Sequence, residues 1–349
     1  MIFNNLLKSY DYRLPEELIA QQPASPRDSA RLLVYRQKTK ALCFDTFKNI
    51  GKYLPPNAVL VFNQTKVVPA RLEISKATGG KAEILYISHD KNYIQVLSNR
   101  RLPINSTTHL VHGHKPGETS FLVAKKINQF YYLKPNFPIR KIKSILEKYG
   151  RTPLPPYIKH SPLTEKQKKE QYQTVFAKAG LSVAAPTASL HFTKSLITKL
   201  KKQGIAVKYV TLNVNLGTFA PLREENLTTG KLHTESYEID KKTAGELNLA
   251  KKQGKNIFAA GTTVVRTLES ATVNGKLKIL SGQTQLFIQP GFNFQFTTGL
   301  ITNFHVPKSS LLMLVSAFAG KKTLFNLYQK AITKKFRFFS FGDGMLILP

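Results

Sequence analysis

The sequence predicts a mixed α/β protein that is interrupted by a small all-β unit, and three observations support this fold class. From Thr164 onward, segments with helical and strand periodicity alternate, as they do in α/β layers. Between Leu72 and Pro135, short apolar segments are separated by Gly, Asn, Asp and Pro without a helical signal, which is typical of a sandwich or barrel. The segment Thr152–Ile158 must be extended, because its prolines exclude a helix, and we expect the chain to return there to its first domain.

The first part of the chain predicts a short helix, a hairpin and a buried strand. Pro15–Ala20 begins with proline, which favours the first position of a helix. Arg31–Arg36 and Ala41–Phe44 flank a polar turn and resemble a hairpin, and the apolar run Ala58–Phe62 indicates a buried strand. Asn63–Leu72 is expected to lead into the all-β unit.

The all-β unit and the rest of the chain show clear element signals. Five short strands are predicted in the unit: Ala82–Ile87, Tyr93–Leu97, Thr108–Val111, Phe121–Ala124 and Phe130–Leu133. Later strands are predicted at Ala206–Leu212, Asn256–Ala260 and Gln285–Ile288. Helices are predicted after Pro138, after the capping box Thr164–Gln167, after Thr193, before Gly254, at Ser310–Ala319 and near Thr323–Ile332.

The charge of the chain indicates the class of its partner. Among 349 residues there are 52 Lys and Arg against 20 Asp and Glu, a formal balance of +32. Such a surface attracts polyanions and speeds encounter with them, so nucleic acid is the leading partner class.

Several other classes are disfavoured. Cys43 is the single cysteine, which excludes a disulfide framework and a cysteine metal site. We expect a cytoplasmic protein without a membrane span, since no signal peptide is evident and the most apolar run, Leu311–Ala319, is about half of the ~20 residues that a span requires. His109, His112 and His114 have no cysteine or acid at ligand spacing, so no metal is expected. The chain has no phosphate-binding or dinucleotide glycine fingerprint.

The stretch Ser182–Thr193 combines small residues with polar side chains. Small residues let a ligand approach the main chain, while Thr187, Ser189 and His191 can supply hydrogen bonds. A buried turn whose polar groups satisfy the local backbone explains the same pattern equally well.

A second candidate site is the strand-to-helix junction Gly261–Ser270. Thr262 or Thr263 is predicted to cap the helix, whose free amides can bind carboxylate or phosphate, and Arg266 lies one turn further on. The alternative is an ordinary turn with a surface ion pair between Arg266 and Glu269.

Two histidines outside these stretches are acid–base candidates. His305 precedes a helix that is apolar all round and capped by Ser309, so it is expected near a cleft, although a core histidine bonded to backbone is the alternative. His233 and Glu235, near Gly217–Pro221, can transfer protons or form a plain exposed pair.

Taken in order, these motifs resemble the S-adenosylmethionine:tRNA ribosyltransferase-isomerase family of queuosine biosynthesis. The resemblance rests on Y-R-L-P-E-E-L-I-A-Q-Q-P, P-R-D-S-A-R-L-L-V, T-K-V-V-P-A-R-L, P-L-P-P-Y-I, Y-Q-T-V-F-A, A-A-P-T-A-S-L-H-F-T, L-G-T-F-A-P, G-T-T-V-V-R-T-L-E-S, T-N-F-H-V-P-K-S-S-L-L-M-L-V-S-A-F-A-G and F-F-S-F-G-D-G-M-L-I, and it covers nearly the whole chain. It implies a larger α/β domain (residues 1–65 and 155–349) interrupted by a small β-barrel domain (residues 66–154).

The resemblance also implies a reaction. The ribosyl carbons of the cosubstrate S-adenosylmethionine would move onto 7-aminomethyl-7-deazaguanine at the tRNA wobble position, giving epoxyqueuosine and releasing adenine and methionine. The sulfonium acidifies the neighbouring 5′ carbon, so a base that removes that proton would begin the rearrangement. No prosthetic group or metal is expected, and the partner would be tRNA with the protein as a monomer.

The resemblance implies roles for the candidate residues. His191 and His305 would transfer protons, followed by His233 and Glu235. Thr262, Thr263 and Arg266 would hold the methionine carboxylate, with Gly261, Thr187 and Ser189 also near the donor. Phe219, Phe339 and Phe341 would stack on adenine or on the unstacked wobble base.

Two other functions fit parts of the sequence. An S-adenosylmethionine-dependent RNA methyltransferase is disfavoured by the missing glycine-rich loop, and it would release S-adenosylhomocysteine instead of adenine. A non-enzymatic basic RNA-binding protein would explain the charge but not the polar clusters within an α/β sheet.

Overall fold

The computed structural model describes residues 2–76, 78–112, 115–215 and 222–349. Its helices are α1 (Ile2–Lys8), α2 (Ile142–Tyr149), α3 (Glu165–Gln171), α4 (Lys194–Lys202), α5 (Glu224–Thr229), α6 (Lys241–Lys252), α7 (Thr262–Ala271), α8 (Ser310–Ala319) and α9 (Lys321–Thr333). Its strands are β1 (Arg31–Arg36), β2 (Leu42–Thr46), β3 (Val59–Asn63), β4 (Thr65–Val67), β5 (Arg71–Lys76), β6 (Lys81–His89), β7 (Ile94–Ser98), β8 (Thr107–His112), β9 (Lys115–Ile127), β10 (Phe130–Pro135), β11 (Ala179–Ser182), β12 (Ala206–Leu212), β13 (Lys231–Glu238), β14 (Ile257–Ala260), β15 (Thr272–Val273), β16 (Lys276–Leu277), β17 (Ser281–Leu286), β18 (Gly299–Asn303) and β19 (Gly344–Leu348).

The chain divides into two compact units. The larger unit comprises Met1–Lys66, Pro155–Leu163 and Gln171–Pro349, and the smaller comprises Val67–Leu154 and Thr164–Glu170. The segment Thr164–Glu170 therefore groups with the smaller unit, whereas the sequence analysis placed it in the larger domain. Its Glu165 carboxylate accepts hydrogen bonds from the amide and the hydroxyl of Thr152, which explains this grouping.

The larger unit is built on a nine-stranded mixed sheet with the order β17-β13-β12-β3-β14-β18-β19-β1-β2. The four central strands β12, β3, β14 and β18 are mutually parallel. The flanking pairs β12–β13, β13–β17, β18–β19 and β1–β2 are antiparallel. The carboxyl ends of the four central strands consequently lie at one edge of the sheet.

Helices cover both faces of this sheet. Along β3, Val59 and Val61 point into one apolar core, while Leu60 and Phe62 point into the other, as the two-residue period of a strand requires. The first core is completed by helices α6, α7, α8 and α9 and the second by α4. Because both faces are buried, β3 is uninterruptedly apolar up to its final residue Asn63, which is why the sequence identifies it readily.

The smaller unit contains a closed six-stranded antiparallel barrel with the order β10-β7-β6-β5-β8-β9. Buried side chains such as Ile74, Ile84, Val96 and Val123 fill its interior. The fold class predicted from the sequence, a mixed α/β fold with an all-β barrel, is thus confirmed. The prediction omitted β5, which supplies the sixth strand that closure requires.

The predicted helix caps are found where local sequence specifies them. The hydroxyl of Thr193 accepts a hydrogen bond from the amide of Leu196, and the hydroxyl of Ser309 accepts one from Leu312. Thr164 and Gln167 form the reciprocal bonds of a capping box.

Other local predictions differ from the structure. Pro15–Ala20 contains only a 3-10 turn at Glu16–Leu18, and the strand predicted at Gln285–Ile288 runs instead over Ser281–Leu286. The prediction also omitted β13 and β18, whose boundaries depend on pairing with distant strands.

Gly299 at the start of β18 allows a contact that no larger residue permits. A Cβ atom there would lie 2.1 Å from Cε1 of the buried Phe258 ring. We expect Gly299→Ala to lower the free energy of unfolding by about 1–3 kcal/mol through overpacking. Gly245→Ala, in α6 with nothing within 4 Å of the added Cβ, is the matched control and should be neutral or stabilising by about 0.5–1 kcal/mol. Urea unfolding of both variants tests this, and equal stabilities would contradict it.

Candidate active site

A cleft opens at the edge where the central parallel strands end. Ligands of α/β sheets bind at this edge, beyond the carboxyl ends of the strands. The cleft encloses about 600 Å³ of empty space, part of it open to solvent. Its wall consists of Tyr157, Ala185, Pro186, Thr187, Ala188, Val214, Gly261, Thr262, Thr263, Thr302, Asn303, Phe304, His305, Val306, Leu311, Phe339 and Ser340.

A buried asparagine joins the strand ends beneath the cleft. The Asn63 side chain donates from Nδ2 to the carbonyl of Leu212 at 3.0 Å and accepts at Oδ1 from the Leu212 amide at 3.1 Å. Its Nδ2 also lies 3.4 Å from Oγ1 of Thr263. Asn63 therefore fixes the end of β12 and the start of α7 relative to β3.

Helix α7 begins in the cleft wall. Its N-cap is Gly261, with φ of 108°, so Thr262 and Thr263 are its first residues. The prediction that one of these threonines caps the helix is wrong, because the chain turns sharply at the glycine, where a left-handed φ is tolerated. The first amides of a helix have no intrahelical acceptor, and the helix dipole adds positive potential there. This part of the wall suits a carboxylate.

His305 lies in the cleft wall and is held on several sides. Its Nε2 is 2.7 Å from the Thr302 hydroxyl, its amide donates to the hydroxyl of Tyr328, and its carbonyl accepts from the hydroxyl of Tyr12. Burial lowers the pKa of the imidazole to about 3. His305 is therefore neutral near pH 7, the form that a general base requires.

His191 contacts the cleft through Asn303. Its ring stacks on Phe47 at 4.0 Å, and its Nε2 lies 3.3 Å from Nδ2 of Asn303, whose Oδ1 accepts from the Thr187 hydroxyl at 2.9 Å. Burial, with the positive charges of two arginines, lowers the pKa of His191 to about 3. Within the described part of the chain, the cleft wall includes Thr187 but neither His191 nor Ser189, whose hydroxyl donates to the carbonyl of Ala260.

Sequence reasoning missed Asn303 as a site residue. A polar residue directly after an apolar strand was the available signal, but β18 itself was not recognised. Asn303 is 2% exposed and connects Thr187, His191 and the carbonyl of Phe339.

A second cavity shares Leu311 with the cleft. It contains about 360 Å³ of empty space, part of it open to solvent, and is lined by Leu232, His233, Glu235, Arg266, Leu286, Ile288, Ser310, Leu311 and Leu314. Arg266 donates from Nη1 to the Glu235 carboxylate and from Nε to the carbonyl of Leu286. The structure thus places Arg266 away from the wall that contains Thr262 and Thr263.

The predicted surface pair between Arg266 and Glu269 is not formed. Both residues are buried, and the Glu269 carboxylate accepts instead from the amides of Gln295, Phe296 and Thr297. The idea that His233 and Glu235 form an exposed pair is also wrong, because Glu235 is 1% exposed and ion-paired with Arg266.

The aromatic candidates are found in different places. Phe339 lines the cleft, whereas Phe341 is buried against Tyr172. Phe219 and the segment 217–221 lie outside the described residues. Among the residues that the structure describes, no group of three His, Cys, Asp or Glu side chains is placed to hold a metal, and no helix is long and apolar enough to cross a membrane.

Comparison with known proteins gives consistent matches over nearly the full length. The family model described as "Queuosine biosynthesis protein" matches residues 7–347. Proteins named S-adenosylmethionine:tRNA ribosyltransferase-isomerase from Carboxydothermus hydrogenoformans and Halothermothrix orenii are 47% and 46% identical, each over 98% of this chain and 99% of the relative. The crystal structure of S-adenosylmethionine tRNA ribosyltransferase from Thermotoga maritima matches with a TM-score of 0.55 and 32% identity, over 97% of this chain and 100% of that one.

The two buried histidines should make folding stability sensitive to acid. Their folded pKa of about 3 lies below the ordinary value of about 6.5, so the unfolded chain binds more protons between these values. Stability is then fully present above pH 6.5 and is lost as the pH falls towards 3, by up to about 1.4 kcal/mol per pH unit for each histidine. Urea unfolding at pH 7 and pH 5 should show a smaller loss for His191→Gln than for the exposed control His89→Gln; identical losses would contradict this.

The Glu235–Arg266 pair should be costly to break but not to replace. Glu235→Leu leaves the buried guanidinium without its carboxylate and should destabilise the protein by about 3–5 kcal/mol. The double variant Glu235→Leu, Arg266→Leu removes both charges and should recover much of that loss. Thermal and urea unfolding of the two variants measure the difference; a double variant less stable than Glu235→Leu would refute it.

Proposed function

This chain belongs to the queuosine biosynthesis protein family, and we propose that it transfers and isomerises the ribosyl moiety of S-adenosylmethionine onto 7-aminomethyl-7-deazaguanine at the wobble position of tRNA. The products would be epoxyqueuosine in the tRNA, adenine and methionine. The observation that carries this proposal is the match, over 98% of the chain, to enzymes named for this transfer.

The cleft at the strand ends is proposed to bind S-adenosylmethionine. The methionine carboxylate would lie at the start of α7, where the amides of Thr262 and Thr263 and the helix dipole favour negative charge. The left-handed turn at Gly261 and the small side chains of Ala185 and Ala188 leave the main chain accessible in this wall. Thr187 lies in the same wall, and Ser189 would support it from behind by its bond to β14.

His305 is our choice for removing the 5′ proton, because it combines a position in the cleft wall with a neutral imidazole. Its low pKa in the free protein makes it a weak base, so removal of the proton would depend on the acidity that the sulfonium gives to the 5′ carbon. His191 contacts the side-chain amide of Asn303. It would therefore hold Asn303 in place in the cleft wall without touching the reacting atoms.

His233, Glu235 and Arg266 are proposed to serve the neighbouring cavity. Glu235 and Arg266 are paired with each other, so their direct part would be to hold β13 against α7. His233 is left as the proton-transferring candidate of that cavity. The tRNA would be held by basic side chains through its phosphates, in keeping with the charge of +32.

Product analysis tests the overall reaction. The protein would be incubated with tRNA that carries 7-aminomethyl-7-deazaguanine and with labelled S-adenosylmethionine, followed by nucleoside analysis. Ribosyl transfer predicts free adenine and a label in the wobble nucleoside. Release of S-adenosylhomocysteine would favour the methyltransferase alternative, and tRNA binding without any product would favour the non-enzymatic one.

Replacing His305 should separate chemistry from binding. We expect His305→Gln to lower turnover by about 10²–10⁴-fold, the usual contribution of a general base, while donor affinity measured by calorimetry changes little. His89→Gln, in the barrel, removes an exposed histidine and should have normal turnover. Normal turnover of His305→Gln would remove His305 from the proposed mechanism.

A further inference from the structure

Two aromatic rings form one side of the cleft. The ring centroids of Tyr157 and Phe339 are 4.8 Å apart with an interplanar angle of 53°, and both residues line the cleft. Tyr157 lies in the proline-rich segment Thr152–Ile158, and the sequence alone did not identify it as a site residue. Its position in the wall is therefore a result of the tertiary structure.

The backbone of Phe339 is held in an unfavourable conformation. Its φ is +68°, in the left-handed region that bulky residues rarely adopt, which costs roughly 1–3 kcal/mol. Three hydrogen bonds fix it there: the Phe339 amide donates to the carbonyl of Phe304, and its carbonyl accepts from Nδ2 of Asn303 and from the amide of Gly342. Backbone strain that several hydrogen bonds maintain beside a cleft indicates that the position of the Phe339 ring serves a function.

The Tyr157 ring is also fixed in place. Its hydroxyl lies 2.6 Å from Oγ of Ser340, which is 4% exposed, and its carbonyl accepts from the Gln21 side chain at 3.2 Å. Burial raises the pKa of the Tyr157 hydroxyl, so the ring stays neutral at any pH at which the protein would work. A rigid neutral ring loses little conformational freedom when a flat molecule stacks on it.

We propose that Tyr157, together with Phe339, forms the stacking surface for the adenine ring of the donor. This inference rests on the proposed function and adds to it a residue and a ligand moiety. Adenine is favoured over the wobble base because Phe339 is 6% exposed: a free cosubstrate can be enclosed at that depth, whereas a base joined to a polynucleotide must enter from the opening. The hydrogen bond of its hydroxyl holds the Tyr157 ring in one orientation, and the apolar face of that ring can stack on a purine.

Calorimetry without tRNA tests the proposal directly. Stacking on an aromatic side chain is worth enough that Tyr157→Leu should weaken binding of both S-adenosylmethionine and free adenine by about 10- to 100-fold. Tyr157→Phe keeps the ring and should stay within a few-fold of the unsubstituted protein. Tyr209→Leu is the matched control, since Tyr209 packs on Phe176 at 5.2 Å outside the cleft wall, and it should bind both ligands normally.

A fluorescence measurement keeps the test independent of how well the leucine variant folds. The chain contains no tryptophan, so Tyr157→Trp introduces a single indole in the cleft. Adenine should quench its emission and methionine should not, while the emission of Tyr209→Trp should respond to neither.

The outcomes separate the two proposals. If the unsubstituted protein binds neither donor nor adenine, the assignment of the donor to this protein fails. If it binds both, but Tyr157→Leu binds adenine normally or adenine leaves the Tyr157→Trp emission unchanged, only the stacking proposal is overturned. A raised KM for tRNA with unchanged donor affinity in Tyr157→Leu would also overturn it, by assigning the wall to the wobble base.

Discussion

The parallel pairing of β12, β3, β14 and β18 is the constraint on which the site depends. Parallel strands point the same way, so their carboxyl ends must meet at one edge, and every following segment begins there. Helix α7 starts directly after β14, and Asn303 ends β18. Residues 200 positions apart, such as Asn63 and Thr263, thereby come within 3.4 Å.

Burial determines what the polar groups at this edge can do. A polar side chain without a partner in a buried position is costly, so the groups around the cleft bond mainly to one another. Asn303 illustrates this, because its amide contacts Thr187, His191 and Phe339 at once. The same burial keeps His191 and His305 neutral. The cleft is consequently a preorganised wall with little exposed charge, and its positive potential comes from the start of α7.

The Glu235–Arg266 pair shows why residue type alone is a weak guide to role. An arginine one turn into a helix that begins at a glycine is a natural choice for binding a carboxylate, yet here it binds a carboxylate of the protein itself. Its partner comes from β13, a strand that the sequence periodicity does not reveal. The pair joins β13 to α7 and lines a second cavity, which shares Leu311 with the cleft.

The sequence alone determined the features that short-range chemistry specifies. The caps at Thr193 and Ser309, the capping box at Thr164, the β1–β2 hairpin and the buried run of β3 each depend on residues within a few positions of one another. The order of motifs also specified the family, since so long a series does not recur by chance. Only the tertiary structure decided the closure of the barrel, the partner of Arg266, the placement of His191 behind Asn303 and the pairing of Tyr157 with Phe339. These features depend on contacts between residues far apart in the chain, whose energies appear only when the sheet has brought them together.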